Sequence, residues 1–82
     1  MNRHPQISEF EQSIIDFIIS LRKSKDLTQQ SIADILRVSR GFINDIETPS
    51  KPAKYNLDHI NALADYFGMS PKDFMPEKPF PV

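Results

Sequence analysis

The feature that most constrains this chain is a pair of short helical segments between Thr28 and Glu47, joined by a turn of about three residues. Helices this short are not stable alone in water, because helix nucleation is unfavourable. The two segments must therefore pack on each other and on further helices, with a small residue where they cross. Apolar residues recur at helical spacing in both segments: Ile32, Ala33 and Leu36, then Ile43 and Ile46.

Polar residues mark where these two helices begin. The hydroxyls of Thr28 and Ser39 are suited to accept a free backbone N–H of the first turn. The first helix holds the second one so that the second projects from the protein surface. The N-terminal residues of the second helix can then enter a DNA major groove, which is about 12 Å wide. The N-terminus of the first helix of the pair would point at a phosphate, because free N–H groups attract an anion.

The preceding segment predicts a long amphipathic helix from about Ser8 to Lys25. Ser8 and Glu11 have the spacing of a reciprocal N-terminal cap. Ile15 and Ile19 lie to one side of the main apolar stripe, where either Ile7 or the C-terminal tail covers them, or a second subunit does. The stripe itself consists of Phe10, Ile14, Phe17, Ile18 and Leu21.

The C-terminal third predicts two more helical elements. A loop from Thr48 to Tyr55 holds two prolines, which exclude a continuous helix. Asn56 caps a fourth helix that ends at Gly68. Ser70 and Pro71, with Asp73, begin a last short turn, which is counted as the fifth helical element. This turn is expected to bury Phe74, and Met75 is the next candidate for burial.

These segments predict an all-α, compact five-helix domain over residues 1–76, with the pair of helices at 28–47. The remaining residues, 77–82, form a proline-rich tail that is expected to be extended, with Phe80 able to fold back onto the domain. Eighty-two residues suffice for one domain with a single modest core.

Composition excludes several classes of protein at this level. The chain has no cysteine, which rules out disulfides and thiolate metal sites. The N-terminus is polar and no apolar run approaches the roughly 20 residues of a membrane span, so we expect a cytoplasmic protein. His4 and His59 stand without metal-ligand or nucleophile spacing, and His59 is expected at the surface. We therefore expect no enzyme, cofactor, metal or small-molecule substrate.

Charge is unevenly distributed along the chain. The formal net charge is −1, which by itself argues against binding to nucleic acid. Residues 22–56 nevertheless carry +3, whereas residues 1–21 and 57–82 carry −2 each. The middle of the chain is thus the basic part, although a solvated helix face would have a similar balance.

The stretch LRKSKDLTQQSIADILRVSRGFINDIE resembles the Cro/cI-type phage-repressor helix-turn-helix family, often called XRE-type. The similarity continues through NLDHINALADYFGMSPKDFM and covers about residues 14–75. It implies a five-helix fold and repressor-like binding of double-stranded DNA, usually by a homodimer. Five features carry it together: Leu21-Arg22, Leu27-Thr28-Gln29, Ile32-Ala33, Val38-Ser39 and Ile46-Glu47.

The resemblance also implies roles for individual residues. Arg22 and Glu47 match a partly buried salt bridge between the first and third helices. Thr28 and Gln29 match positions that approach phosphate, with Gln29 also able to reach a base. The remaining DNA-binding candidates lie on the second helix of the pair, which is the recognition helix of this family, and in the loop after it. They are Ser39, Arg40 and Gly41 at the N-terminal end of that helix, Asn44 one turn further on, and Lys51 and Lys54 in the loop.

Side-chain chemistry ranks these candidates differently. Arg40 is the best candidate for a base contact, because a guanidinium bonds guanine O6 and N7 together. Asn44 is suited to read adenine or, equally well, to remain solvated. Asp45 would repel phosphate and could accept only from a cytosine amino group, so it is expected to be a helix-surface residue or a pairing residue. Lys51 and Lys54 would add affinity without sequence preference, or lie free in solvent.

The sequence departs from the family in several places. Arg37 stands at the turn position where the family has glycine, so it must tolerate or avoid a left-handed backbone. Gly41 offers no side chain to a base. Ile35 and Phe42 are apolar where the family is generally polar, and the nine residues from Glu47 to Tyr55 make a longer stretch than is common. We hypothesise that Tyr55 packs near Phe42.

Two alternatives to a free-standing regulator remain open. The same scaffold serves as a protein-interaction module, and an antitoxin would bind DNA together with a toxin held by its tail or first helix. The dimer surface is equally open between two regions. The resemblance indicates Phe74, Met75 and the tail, whereas Ile15 and Ile19 are the competing surface.

Overall fold

The computed structural model describes residues 3–82, so the first two residues of the predicted domain lie outside the described residues. It contains four α-helices, α1 Glu9–Ser24, α2 Gln29–Leu36, α3 Arg40–Ile46 and α4 Leu57–Phe67, and a 3-10 turn at Pro71–Phe74. Residues 3–82 include no β-strand, which agrees with the all-α prediction.

Each helical element begins at a polar residue whose side chain accepts a backbone N–H of the first turn. In α1, the Ser8 hydroxyl accepts from the N–H of Glu11, and the Glu11 carboxylate accepts from the N–H of Ser8. This capping fixes the helix starts locally, before any tertiary contact is made. The five capping residues are Ser8, Thr28, Ser39, Asn56 and Ser70.

The core lies at the centre of the four helices and is built mainly of isoleucine. The ring of Phe74 packs edge-on against the ring of Phe17, with 5.1 Å between the centroids, and so fastens the 3-10 turn to α1. The buried residues are Ile7, Ile14, Ile15, Ile18, Ile32, Ala33, Ile43, Ile46, Tyr55, Ile60, Leu63, Ala64 and Phe74.

The fifth predicted helix is a single 3-10 turn within residues 3–82 rather than an α-helix. Pro71 opens the turn and Pro76 follows it closely. The residue before a proline is forced towards extended backbone, and Met75 has φ −106° and ψ 146°. Four residues between these two constraints are too few for a hydrogen-bonded α-helix.

The structure decides between the alternatives for what covers Ile15 and Ile19 on the side of α1. Ile7 is buried in the same core as Ile15, which is 2% exposed, and Ile19 packs half-buried against it. Ile15 is therefore not available as a subunit contact. Phe74, proposed for the other dimer surface, is also 2% exposed and is excluded for the same reason.

The C-terminal residues lie along the first turns of α1. Phe80 is half-buried and lines shallow depressions with Arg3, Glu9 and Gln12. Residues 77–82 form no helix or strand. Among residues 3–82, no helix combines the length and the apolar character that crossing a membrane requires.

Candidate nucleic-acid interface

The second helix of the predicted pair, α3, is held to the body by one face only. Ile43 and Ile46 on that face are buried, and Ile43 is fully so. The small Ala33 of α2 is also fully buried, which allows the two helices to approach closely. The other face of α3 and its N-terminal end are open to solvent and carry Ser39, Arg40, Gly41 and Asn44.

The turn between α2 and α3 adopts the left-handed backbone that glycine would favour. Arg37 occupies it with φ 58° and ψ 43°. The N–H of Val38 donates to the carbonyl of Ala33 at 3.0 Å, and the N–H of Arg37 donates to the carbonyl of Asp34 at 3.3 Å. Arg37 therefore tolerates the strain rather than avoiding it, and its side chain lies exposed beside the start of α3.

The N-terminus of α2 is closed by a reciprocal cap. Thr28 Oγ1 accepts from the N–H of Ser31 at 3.1 Å, and Ser31 Oγ accepts from the N–H of Thr28 at the same distance. The two hydroxyls also lie 3.0 Å apart. The polar groups of Thr28 are thus hydrogen-bonded within the chain. Its side chain therefore fixes the N-terminal end of α2, which would face a phosphate.

Arg22 and Glu47 form a two-point ion pair between the end of α1 and the end of α3. Arg22 Nη2 lies 2.7 Å from Glu47 Oε1, and Arg22 Nε donates to Oε2 at 3.0 Å. Their side chains are only 13% and 9% exposed. Arg22 Nη1 also donates to the carbonyl of Leu27 at 3.0 Å. This guanidinium is committed to the fold and is not a free phosphate ligand.

The charge state of Glu47 follows from these contacts. Burial alone would raise the pKa of the Glu47 carboxyl, but the hydrogen bonds from Arg22 and Gln29 outweigh it and hold the pKa below its ordinary value. The hydrogen bond to Glu47 likewise raises the pKa of Arg22. The pair is therefore fully ionised at neutral pH.

Gln29 has a partner that the sequence did not indicate. Its Nε2 donates to Glu47 Oε1 at 3.0 Å, so one carboxylate oxygen receives both the amide of Gln29 and the guanidinium of Arg22. The two residues are 18 positions apart, on different helices. No local pattern signals such a contact, because it depends on how α2 and α3 cross.

The two loop lysines differ in their surroundings. Lys54 Nζ lies 2.7 Å from Glu11 Oε2 and 3.4 Å from the carbonyl of Gln6, so it ties the loop to the start of α1. Burial raises the pKa of Glu11, yet the bonds from Lys54 and Ser8 bring it below the ordinary value. Lys51 is exposed and has no ion-pair partner within residues 3–82. Of these two lysines, Lys51 is the one that can bind a phosphate without breaking a contact.

An aromatic cluster links α3, the loop and α4. The rings of Phe42 and Tyr55 lie 5.8 Å and 6.0 Å, centroid to centroid, from the ring of His59. Phe42 is half-buried and Tyr55 is buried, so both belong to this cluster, with His59 in contact with each. His59, which was expected at the surface, is half-buried there, and its Nδ1 accepts from the N–H of Asn56 at 3.1 Å.

The hydroxyl of the buried Tyr55 has no hydrogen-bond partner within residues 3–82. Burial also raises the pKa of this phenol far above its ordinary value, so it stays neutral. Such a group stabilises the fold through its ring rather than through its hydroxyl. Among residues 3–82, no cluster of histidine and carboxylate side chains is suited to hold a metal ion.

Comparison with protein-family models gives a match to the family described as helix-turn-helix, over residues 18–74. This range covers more than half of the chain and contains α2, α3 and the crossing between them. Comparison with curated proteins gives no match. Comparison with solved structures gives none either. The chain belongs to the helix-turn-helix family of the XRE, or Cro/cI, type, a family of DNA-binding regulators rather than enzymes.

Proposed function

We propose that this protein is a sequence-specific regulator of transcription, acting as a repressor, that inserts α3 into the major groove of double-stranded DNA. The observation that carries this proposal is the asymmetry of α3. Its buried face fixes the helix to the core, while the face and the N-terminal end that would meet the groove are solvent-exposed.

Arg40 is the principal base contact in this proposal. It is exposed at the first position of α3, next to the capping residue Ser39, and it is in no ion pair within residues 3–82. A guanidinium with all its donors free is suited to guanine O6 and N7. Gly41 allows the backbone to approach DNA closely, and Asn44, one turn further on, is exposed on the same side.

Phosphate contacts would set the position of α3 without reading sequence. We assign them to the N-terminal end of α2 at Thr28 and Gln29, and to Lys51 in the loop. Lys54 contributes less, because it would have to leave Glu11. We further propose that the regulator works as a homodimer in the cytoplasm, since two copies would double the short contact made by one α3.

The test is a binding series at increasing salt, on random duplexes and on duplexes selected from the genome of origin. We expect specific binding above a salt-dependent background. Arg40→Ala should weaken binding to the selected duplex by about 5- to 100-fold and leave the random-duplex background largely intact. Lys72→Ala, in the exposed 3-10 turn, is the matched control and should change neither.

The two lysines offer an internal comparison. Lys51→Ala should lower affinity for every duplex and reduce the salt slope by about 1. Lys54→Ala should change the slope less, since its charge is already neutralised by Glu11. No binding to any duplex at low salt would overturn the proposal and favour a protein-interaction role for the scaffold.

A further inference from the structure

The amide of Gln29 lies against a fixed anion rather than free in solvent. Gln29 is the first residue of α2, at the edge of the proposed interface, and it is half-buried. Its Nε2 donates to Glu47 Oε1 at 3.0 Å. Glu47 is itself held from the other side by Arg22, through two hydrogen bonds. The position of this carboxylate is therefore set by α1 and α3, not by α2.

The identity of the partner fixes which way round the amide sits. An ionised carboxylate can only accept hydrogen bonds, whereas a glutamine amide has a donating nitrogen and an accepting oxygen. The nitrogen must therefore face Glu47, and the reversed amide would place two acceptors together. Glu47 remains ionised at neutral pH, since Arg22 neutralises it at 2.7 Å. The orientation is thus determined chemically.

This arrangement leaves a definite set of groups on the rest of the amide. One N–H of Gln29 is engaged by Glu47, and the second N–H remains. The oxygen Oε1 accepts no hydrogen bond within residues 3–82. DNA phosphates and sugars offer the oxygen no amino donor, whereas the amino groups of adenine and cytosine in the major groove do.

We propose that Glu47 is a positioning residue for Gln29, and that it turns the Gln29 oxygen towards a base amino group in the major groove. Gln29 then reads sequence at one base pair instead of only anchoring a phosphate. This inference rests on the proposed DNA-binding function. It adds a second reading position, on α2, to the one that Arg40 provides on α3, where Gly41 contributes no side chain.

The test compares base preferences at each position, measured by selection from a randomised duplex pool and then by binding to single-base variants of the selected site. Gln29→Ala should reduce discrimination at one base pair by about tenfold. Glu47→Gln should reduce discrimination at that same base pair, because a neutral amide lets Gln29 adopt either orientation. Arg40→Ala should act at a different base pair.

Gln30 provides the matched control. It is the next residue of α2, and its Nε2 donates to Asp34 Oδ1 at 2.8 Å, so it too has an amide on a carboxylate. That pair is exposed and lies within one helix. Gln30→Ala should leave every base preference unchanged.

A second measurement needs no DNA and no substitution of Glu47. In the free wild-type protein, the ¹H and ¹⁵N shifts of the Gln29 side-chain amide should follow the titration of Glu47 in acid. The Gln30 amide, which donates to Asp34 and not to Glu47, should not follow this titration. This readout holds even if Glu47→Gln fails to fold.

Four results would overturn the inference. A uniform loss of affinity for all sequences in Gln29→Ala would make Gln29 a phosphate anchor. Unchanged discrimination in a folded Glu47→Gln variant would show that Glu47 does not position it, as would a Gln29 amide that ignores the titration of Glu47. Failure of the wild-type protein to bind any duplex would remove the DNA-binding function and this inference together, whereas the first results leave that function standing.

Discussion

The ends of α2 and α4 have the same backbone geometry but different residues at the critical position. In α2, the N–H groups of Arg37 and Val38 donate back to the carbonyls of Asp34 and Ala33. In α4, Gly68 and Met69 donate in the same way to Asp65 and Ala64. Arg37 has φ 58° and Gly68 has φ 66°, so both are left-handed.

The difference shows that packing, not the residue at the turn, decides how α2 ends. Gly68 adopts a left-handed backbone without strain, whereas an arginine there costs about 1–2 kcal/mol. Arg37 nevertheless adopts it, because α3 must turn sharply to cross α2 at the buried Ala33. Asp26, just beyond the C-cap Lys25 of α1, also has a left-handed backbone, with φ 58°. The cost of the left-handed backbone at Arg37 is thus offset by burial of side chains where α2 and α3 cross.

The largest expected effect comes from the two buried alanines. Ala33→Leu and Ala64→Leu should each lower the free energy of unfolding by about 1–3 kcal/mol, because the extra methylenes have no space. Urea unfolding measures both. Ala62→Leu, at a half-buried site of α4, is the control and should cost less. Of the two substitutions in buried alanines, only Ala33→Leu should also weaken DNA binding by more than its effect on stability explains. Equal losses of DNA binding in Ala33→Leu and Ala64→Leu would contradict the special role of the crossing between α2 and α3.

Gly68→Arg should have the next largest effect. A Cβ at this position meets no atom within 4 Å, so the substitution has a backbone cost and no steric one. We expect a loss of about 1 kcal/mol in the free energy of unfolding. Gly41→Ala is the contrasting variant for stability, because its helical backbone suits alanine and its Cβ meets only Ser39 Oγ, at 3.9 Å. A loss of stability there as large as at Gly68 would argue against the backbone explanation.

Arg37→Gly should act in the opposite direction and more weakly. Relief of left-handed strain raises the free energy of unfolding, and the greater freedom of glycine in the unfolded chain offsets part of it. We expect a net gain below about 1 kcal/mol, measured by thermal and urea unfolding. Asp26→Gly should gain less, since aspartate tolerates this backbone region better. A destabilised Arg37→Gly would show that the arginine side chain makes a contribution of its own.

Acid should produce the smallest effect, and it should fall on the helix-turn-helix. The pKa of Glu47 is lower in the folded protein than in the unfolded chain, so its contribution is present above the unfolded value. That contribution is lost as the pH falls through the folded value. Unfolding measured from neutral into acid pH should therefore show a stability slope that Glu47→Gln reduces. Glu11→Gln isolates the slope that the Lys54 pair adds in the same direction.

The sequence by itself determined the helices, because their signals are local. The caps at Ser8, Thr28 and Asn56, together with apolar spacing, set where α1, α2 and α4 begin, and each start agrees with the structure. The sequence also predicted the family, through the resemblance over about residues 14–75 whose matching features include Ile32-Ala33 and Val38-Ser39. The last element was predicted as a short, proline-led turn and counted as a fifth helix, whereas Pro71–Phe74 form a single 3-10 turn that ends at the extended Met75.

Only the tertiary structure decided which polar side chains remain free for a ligand. Lys54 and Lys51 are indistinguishable by type, but Lys54 meets Glu11, which is 43 residues away. Gln29 meets Glu47 only because α2 and α3 cross where they do. Such pairings depend on how closely distant segments approach each other. Hydrophobic spacing and capping residues carry no information about that approach. The sequence determined that residues 28–47 form a helix-turn-helix, and the crossing of its two helices decided which of its side chains are free.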